Sequence, residues 1–186
     1  MELRRLKRDV LYRGKVFDLI VDQVEYPSGN RGVREIARHP GGAVVVPVFD
    51  DMTVLLVQQL RYPLERHIVE LPAGKLSPGE DPLLAARREL EEETGYTSDT
   101  MEKIVSIYTT PGFCDEELHL YLARGLRLSL QGHRREEGEF SMTLLTLPLA
   151  EAIRRVRTSE LQDAKTIIGL LLAERILSER TSRPSA

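Results

Sequence analysis

Three glutamates, Glu89, Glu92 and Glu93, stand at i, i+3 and i+4 in a segment of helical character. At 100° per residue their side chains fall within about 100° of one another, on one face. Leu83, Ala86 and Leu90 form the adjoining stripe that would seat the helix on a sheet, and Glu91 points away. Like charges at these spacings cost a helix about 0.2–0.5 kcal/mol per pair. Three acids beside a buried stripe therefore need a compensating cation. Arg88 can serve Glu92 at i+4, but one guanidinium does not neutralise three carboxylates. A hard divalent cation takes oxygen ligands, and Mg²⁺ is commonly held by a few carboxylates together with substrate phosphates. The competing reading of Glu91-Glu92-Glu93 is a solvated charge run.

The helix that carries these acids is well marked. Asp81 suits the N-cap, Pro82 the first helical position, and Gly95 the position just past the end. Around it the sequence predicts strands. The first forty residues read as strands, with β-formers at 16–21, a turn at Pro27-Ser28-Gly29-Asn30-Arg31-Gly32, and a strand at 33–38. After Gly41-Gly42, residues 43–49 and 53–59 flank Asp50-Asp51 and read as a hairpin, with Val44-Val45-Val46 apolar on both faces, as in a central strand. Further strands are expected at 104–108, 118–123 and 141–147, a polar loop at 130–139, helices at 149–156 and 161–177, and a frayed tail at 181–186. This order argues an α/β sandwich of mixed sheets rather than a regular βαβ array. It divides into an N-terminal β arm at 1–40, a main domain at 41–180 and the tail.

Composition narrows the class. The chain has 186 residues, 41% hydrophobic and 30% charged, the balance of an ordinary globular protein. A net charge of −3 gives no overall field for nucleic acid. The single cysteine, Cys114, excludes an intrachain disulfide and zinc-finger spacing, and points to a reducing, cytoplasmic setting. The basic start is followed by no long apolar stretch, so neither a signal peptide nor a membrane span is expected.

Residues 74–96 resemble the Nudix box, G-x5-E-x7-R-E-U-x-E-E-x-G-U, where U is a bulky aliphatic. Gly74, Glu80, Arg88, Glu89, Leu90, Glu92, Glu93 and Gly95 all stand in register, and only Tyr96 departs, at the last position. The resemblance implies a Nudix-type α/β/α sandwich with a loop–helix–loop motif that binds Mg²⁺ or Mn²⁺, roughly two or three ions per site. It implies Glu89 and Glu93 as principal metal ligands and Glu92 as a further ligand or a water contact. Arg88 and Glu80 carry over as orienting groups or as a structural salt bridge, and Gly74 and Gly95 as structural glycines.

Further features resemble the ADP-ribose pyrophosphatase branch of that family. Glu70-Leu71-Pro72-Ala73-Gly74 is similar to its entry to the box, which makes the Ala73 carbonyl a metal ligand. Pro111, fifteen residues after Tyr96, matches the branch marker, and Gly112 and Phe113 beside it become substrate contacts. For Phe113, loop packing is the competing reading. Glu136-Glu137-Gly138-Glu139-Phe140 resembles the branch's acidic loop, with Glu137 the first choice as catalytic base and Glu139 the second. Arg61 resembles a phosphate-binding arginine, whose fork meets phosphate oxygens in pairs. Glu70 reads equally as a substrate contact or as the partner of an arginine. Asp163-Ala164-Lys165-Thr166 is also similar to the branch, but a core helix with a solvated lysine accounts for it equally well. His39 reads as a turn residue rather than a catalyst. The resemblance further implies a homodimer formed through the N-terminal arm. The expected substrate is a small nucleoside-diphosphate compound, ADP-ribose first. The alternatives are another nucleoside-diphosphate sugar such as GDP-mannose, or a catalytically silent domain that senses a nucleotide.

Overall fold

In a computed structural model, residues 3–130, 132 and 141–181 are described. The chain forms two compact units, one of residues 1–41 with 108–117, the other of 42–107 with 118–186.

The first unit is an antiparallel sheet of β1 (Arg4–Arg13), β2 (Asp18–Glu25) and β3 (Arg31–Arg38), in that order. The turn expected after Pro27 joins β2 to β3, where Gly29 takes φ 83° and Tyr26 N donates to Asn30 O. Arg8 grips the buried Asp22 through both carboxylate oxygens, at 2.7 and 2.6 Å. The 108–117 segment joins this sheet through Ala37 N, which donates to Phe113 O at 2.8 Å.

The second unit is built around β4 (Gly42–Pro47), all of whose residues are buried. Its sheet has the order β7-β4-β9-β8, with β7 (Ala73–Lys75), β8 (Tyr96–Tyr108) and β9 (Glu117–Leu128). β4 runs antiparallel to β7 and parallel to β9. A second sheet has the order β10-β5-β6, formed by β5 (Thr53–Arg61), β6 (Arg66–Glu70) and β10 (Thr143–Pro148). Alternation along β4 divides the core. Ala43 and Val45 pack with Tyr121 and Ala123 against Ala85, Ala86 and Leu90 of helix α1 (Pro82–Thr94). Val44 and Val46 face the other way, toward Leu120, Leu122, Val54, Leu56 and the helices α2 (Leu149–Arg157) and α3 (Ala164–Thr181). Each such leucine, fully buried, contributes about 1.5–3 kcal/mol. The expected α/β/α sandwich is therefore present. Among the described residues, no helix is long and apolar enough to cross a membrane.

The hairpin expected across Asp50-Asp51 does not form. The chain does turn there, with Phe49 N donating to Thr53 O and a lone bridge between Val48 and Val54. β4 and β5 then diverge into different sheets. A strand that is apolar on both faces gains most from neighbours on both edges, and β9 and β7 supply them. Pro47 at the end of β4 also lacks the N–H that would extend a ladder toward β5. β8 and β9 are longer than expected, because their polar ends still pair although they lack the apolar alternation that marks a buried strand.

α1 follows its local signals. Asp81 Oδ1 accepts from Leu83 N at 2.9 Å and Leu84 N at 3.2 Å, and Gly95 closes the helix at φ 73°. Replacing Asp81 with Ala should cost about 1 kcal/mol. In urea denaturation the midpoint should fall with the slope unchanged; an unchanged midpoint would show that the cap is dispensable.

Candidate active site

β7 passes so close to α1 that a side chain at position 74 would need the Glu89 carboxylate to move. A Cβ on Gly74 would lie 2.1 Å from the Glu89 carboxylate. One residue earlier, Ala73 N donates to Glu93 Oε2 at 3.0 Å. The pairing of β7 with β4, Ala43 opposite Gly74 and Val44 opposite Ala73, thus sets the backbone against which the inner acids of α1 lie. Glu93 is only 2% exposed and Glu89 8%, both on the helix face beside Ala85, Ala86 and Leu90.

Burying carboxylates this close together requires counter-charge, and Arg88 brings it. Its Nε and Nη2 meet Glu80 Oε1 and Oε2 at 2.9 and 3.0 Å. Nη1 reaches Glu89 at 2.6 Å and Glu92 at 3.0 Å, and Nη2 also donates to Lys75 O at 3.3 Å. Glu80 accepts from Ser77 N at 2.9 Å as well. The Arg88 guanidinium, helped by that backbone N–H, pulls the Glu80 carboxyl down to about 2. In return the carboxylates raise Arg88 further above its ordinary range. One guanidinium thus faces three carboxylates, Glu80, Glu89 and Glu92. Among the described residues, no group of three or more acidic, histidine or cysteine side chains is arranged as a ready-made metal cage. Glu91, on the far side, accepts from Ser129 Oγ.

A second charged cluster lies on β5, β6 and the start of α3. Glu70, 1% exposed, receives Arg61 Nε at 2.7 Å and Arg61 Nη2 on its other oxygen. Lys165 Nζ donates to Glu70 Oε2 at 2.7 Å and lies 3.0 Å from Asp163 Oδ2. Burial pushes the Glu70 carboxyl up, but Arg61 and Lys165 together outweigh it, and the group sits below its ordinary value. Glu70 is therefore an arginine's partner. Of the two readings of Lys165 the solvated one does not hold: its side chain is 12% exposed, because a buried carboxylate claims its ammonium. Arg61 keeps 40% of its side chain exposed, and Nη1 has no hydrogen-bond partner among the described residues.

Sequence reasoning missed what Lys165 and Thr166 do. Asp163 as a helix cap was within reach, since its Oδ2 accepts from Thr166 N at 3.0 Å. The partners of Lys165 and Thr166, Glu70 and Leu71, lie 95 residues earlier, and no local pattern announces them.

Gly112 and Phe113 belong to the first unit. The Phe113 ring is exposed while its backbone holds the turn, with N donating to Thr110 O and O accepting from Ala37 N. His39 Nδ1 accepts from Gly41 N at 3.1 Å, the geometry of a turn residue, and lies 3.3 Å from Glu116 Oε1. Glu137 and Glu139 lie outside the described residues.

Two measurements follow from this geometry. Gly74→Ala must displace the Glu89 carboxylate and should cut turnover by about a hundredfold, the scale of an ångström's misplacement. Full turnover in that variant would show that the close approach is not required. Glu80 has a depressed carboxyl, so its pairing stabilises the fold above its ordinary value of 4.5 and loses that effect as pH falls toward about 2. The stability gap between wild type and Glu80→Gln should accordingly narrow across that window in acid titrations; a gap independent of pH would contradict the pairing.

The family model described as NUDIX domain matches residues 38–167. A methanol dehydrogenase activator of Bacillus methanolicus is 44% identical over 169 residues, covering 91% of each chain. An ADP-ribose pyrophosphatase of Bacillus subtilis (strain 168) is 44% identical over 170 residues, also covering 91% of each. A crystal structure of an ADP compounds hydrolase shares the fold, with a TM-score of 0.83 at 20% identity over 97% of this chain and 96% of that one. The chain belongs to the NUDIX domain family.

Proposed function

We propose that this chain is a metal-dependent pyrophosphatase that hydrolyses the diphosphate of a nucleoside-diphosphate compound, with ADP-ribose converted to AMP and ribose 5-phosphate. The observation that carries this reading is the gathering of Glu80, Glu89 and Glu92 on Arg88, with Glu93 beside them on Ala73 N. The similarity to an ADP-ribose pyrophosphatase over nine-tenths of both chains supports the choice of substrate.

The donor chemistry fits Mg²⁺ or Mn²⁺. Glu89 and Glu93 would hold the ions, with Glu92 and the Ala73 carbonyl adding oxygen donors from a rigid helix and the adjoining strand. When bound, such ions neutralise charge on the diphosphate and make water a stronger nucleophile. The remaining work falls to the chain. Arg88 and Glu80 keep the α1 carboxylates in register. Arg61, braced by Glu70 and 40% exposed, offers Nη1, which has no partner among the described residues, to a phosphate oxygen. Glu137, with Glu139 second, takes the proton of the attacking water. Gly112 and Phe113 contact the substrate. Cys114 as the single cysteine supports a cytoplasmic setting.

The first unit supports a dimer arm. Val10, Leu11, Tyr12, Val16 and Phe17 are all exposed on and after β1, apolar side chains that a partner copy would cover. Light scattering coupled to size exclusion should give a dimer mass; a monomer at micromolar concentration would refute this part of the proposal.

The substrate is tested with a panel of nucleoside diphosphates in Mg²⁺ or Mn²⁺, products being identified by mass. ADP-ribose should be cleaved to AMP and ribose 5-phosphate, and excess chelator should abolish turnover. A far higher kcat/KM for GDP-mannose would overturn the substrate assignment, and undiminished activity in chelator would overturn the metal dependence.

A further inference from the structure

The segment from Glu70 to Ala73 is held at every residue. The Glu70 carboxylate is clasped by Arg61 and Lys165. Leu71 N donates to Thr166 Oγ1 at 2.8 Å, both groups buried. Pro72 O accepts from Val45 N at 2.9 Å, and Ala73 N donates to Glu93. Two of these four restraints come from consecutive residues of α3. Asp163 organises both, since its Oδ2 accepts from Thr166 N and from Thr166 Oγ1 at 2.6 Å and lies 3.0 Å from Lys165 Nζ.

From this geometry we infer that Lys165 and Thr166 are positioning residues with separate outputs. Lys165 acts through Glu70 to set the Arg61 fork, and Thr166 acts through Leu71 to set the Ala73–Glu93 corner. The inference rests on the proposed function, which makes Arg61 a phosphate contact and Ala73 and Glu93 a cation site.

The physical basis is the way each restraint is built. Glu70 is buried and offers two oxygens. Arg61 takes one of them through Nε and shares the other with Lys165. Without the lysine charge, the arginine alone must neutralise the buried carboxylate and is drawn inward, at the expense of its outward edge. Thr166 Oγ1 accepts from Leu71 N and donates to Asp163. Valine, of the same shape, can do neither, which leaves a buried N–H unpaired two residues before Ala73. Among the described residues neither α3 residue bonds to Arg88 or to the α1 carboxylates, and the two share only Asp163, so each acts mainly through its own partner on the 70–73 segment. Groups that orient ligating or substrate-binding residues commonly change affinity by about 10–100-fold when lost.

The test uses four variants of the full chain and two readouts. Mn²⁺ binding is measured by calorimetry on protein without substrate, and KM and kcat are measured with ADP-ribose at saturating Mn²⁺. Lys165→Gln should raise KM by about tenfold or more while kcat and Mn²⁺ affinity change far less, and Lys165→Arg should restore most of KM. Thr166→Val should weaken Mn²⁺ binding by about tenfold, and Thr166→Ser, which keeps the hydroxyl, should restore it. Equal shifts of both readouts in Lys165→Gln and Thr166→Val, or no shift in either, would overturn the inference. If Thr166→Val does not fold, the lysine variants and Thr166→Ser decide. Should wild type bind Mn²⁺ but leave ADP-ribose intact, the substrate reading fails, and the lysine arm is read with the nucleotide that is cleaved.

Discussion

Arg88 holds Glu80 through two hydrogen bonds and reaches Glu89 and Glu92 with its remaining amino group. Two unit charges 4 Å apart repel by about 4 kcal/mol at an effective dielectric of 20, so carboxylates gathered around one point need a counter-charge. The guanidinium is planar and offers five donors in a fixed fork, which lets one side chain meet three acids at once. Lysine, with three donors on one nitrogen, could not make all five bonds that Arg88 makes here. The close pass of β7 over Glu89 depends on the same gathering: Gly74 leaves room for a carboxylate that Arg88 has already drawn into place.

The rest of the second unit serves to bring α1 and the 70–73 segment together. β4 buries both faces, one against α1 and the other against α3 and the second sheet. It also carries β7 on its edge and takes Pro72 O through Val45 N. A single strand therefore sets the height of the carboxylates and of the backbone that meets them. The Glu70 cluster repeats the principle at a second point: a buried acid becomes tolerable because two cations from separate elements converge on it.

Much of this was legible where the cause is local. The Asp81 cap, the Gly95 stop and the i+4 reach from Arg88 to Glu92 follow from helix geometry alone, and all three are present. The unbroken apolar run of β4 foretold a central strand. What the residues alone could not give is any contact across sequence distance. The fit of Gly74 under Glu89 is one such contact, as a fifteen-residue gap has no spacing rule. The Asp50-Asp51 turn was readable, but the sheet each flanking strand would join depended on β9, seventy residues further on. The residues alone left Lys165 open between a solvated lysine and a branch feature, because its partner, Glu70, lies on another element. The box itself was recognised through family resemblance, and that resemblance, rather than periodicity, singled out Glu93 as a ligand.

That the α1 carboxylates hold the catalytic cation is tested most directly by Glu93→Gln. Glutamine keeps the shape and can still accept from Ala73 N, so only the charge at this point is removed. The variant should fold with an unchanged or slightly higher Tm in the absence of metal, bind Mn²⁺ more weakly, and lose at least about a hundredfold in kcat, the scale of one lost electrostatic contact in the transition state. A variant that binds Mn²⁺ normally and turns over at nearly the wild-type rate would contradict the assignment of Glu93 and the metal-centred reading built on it.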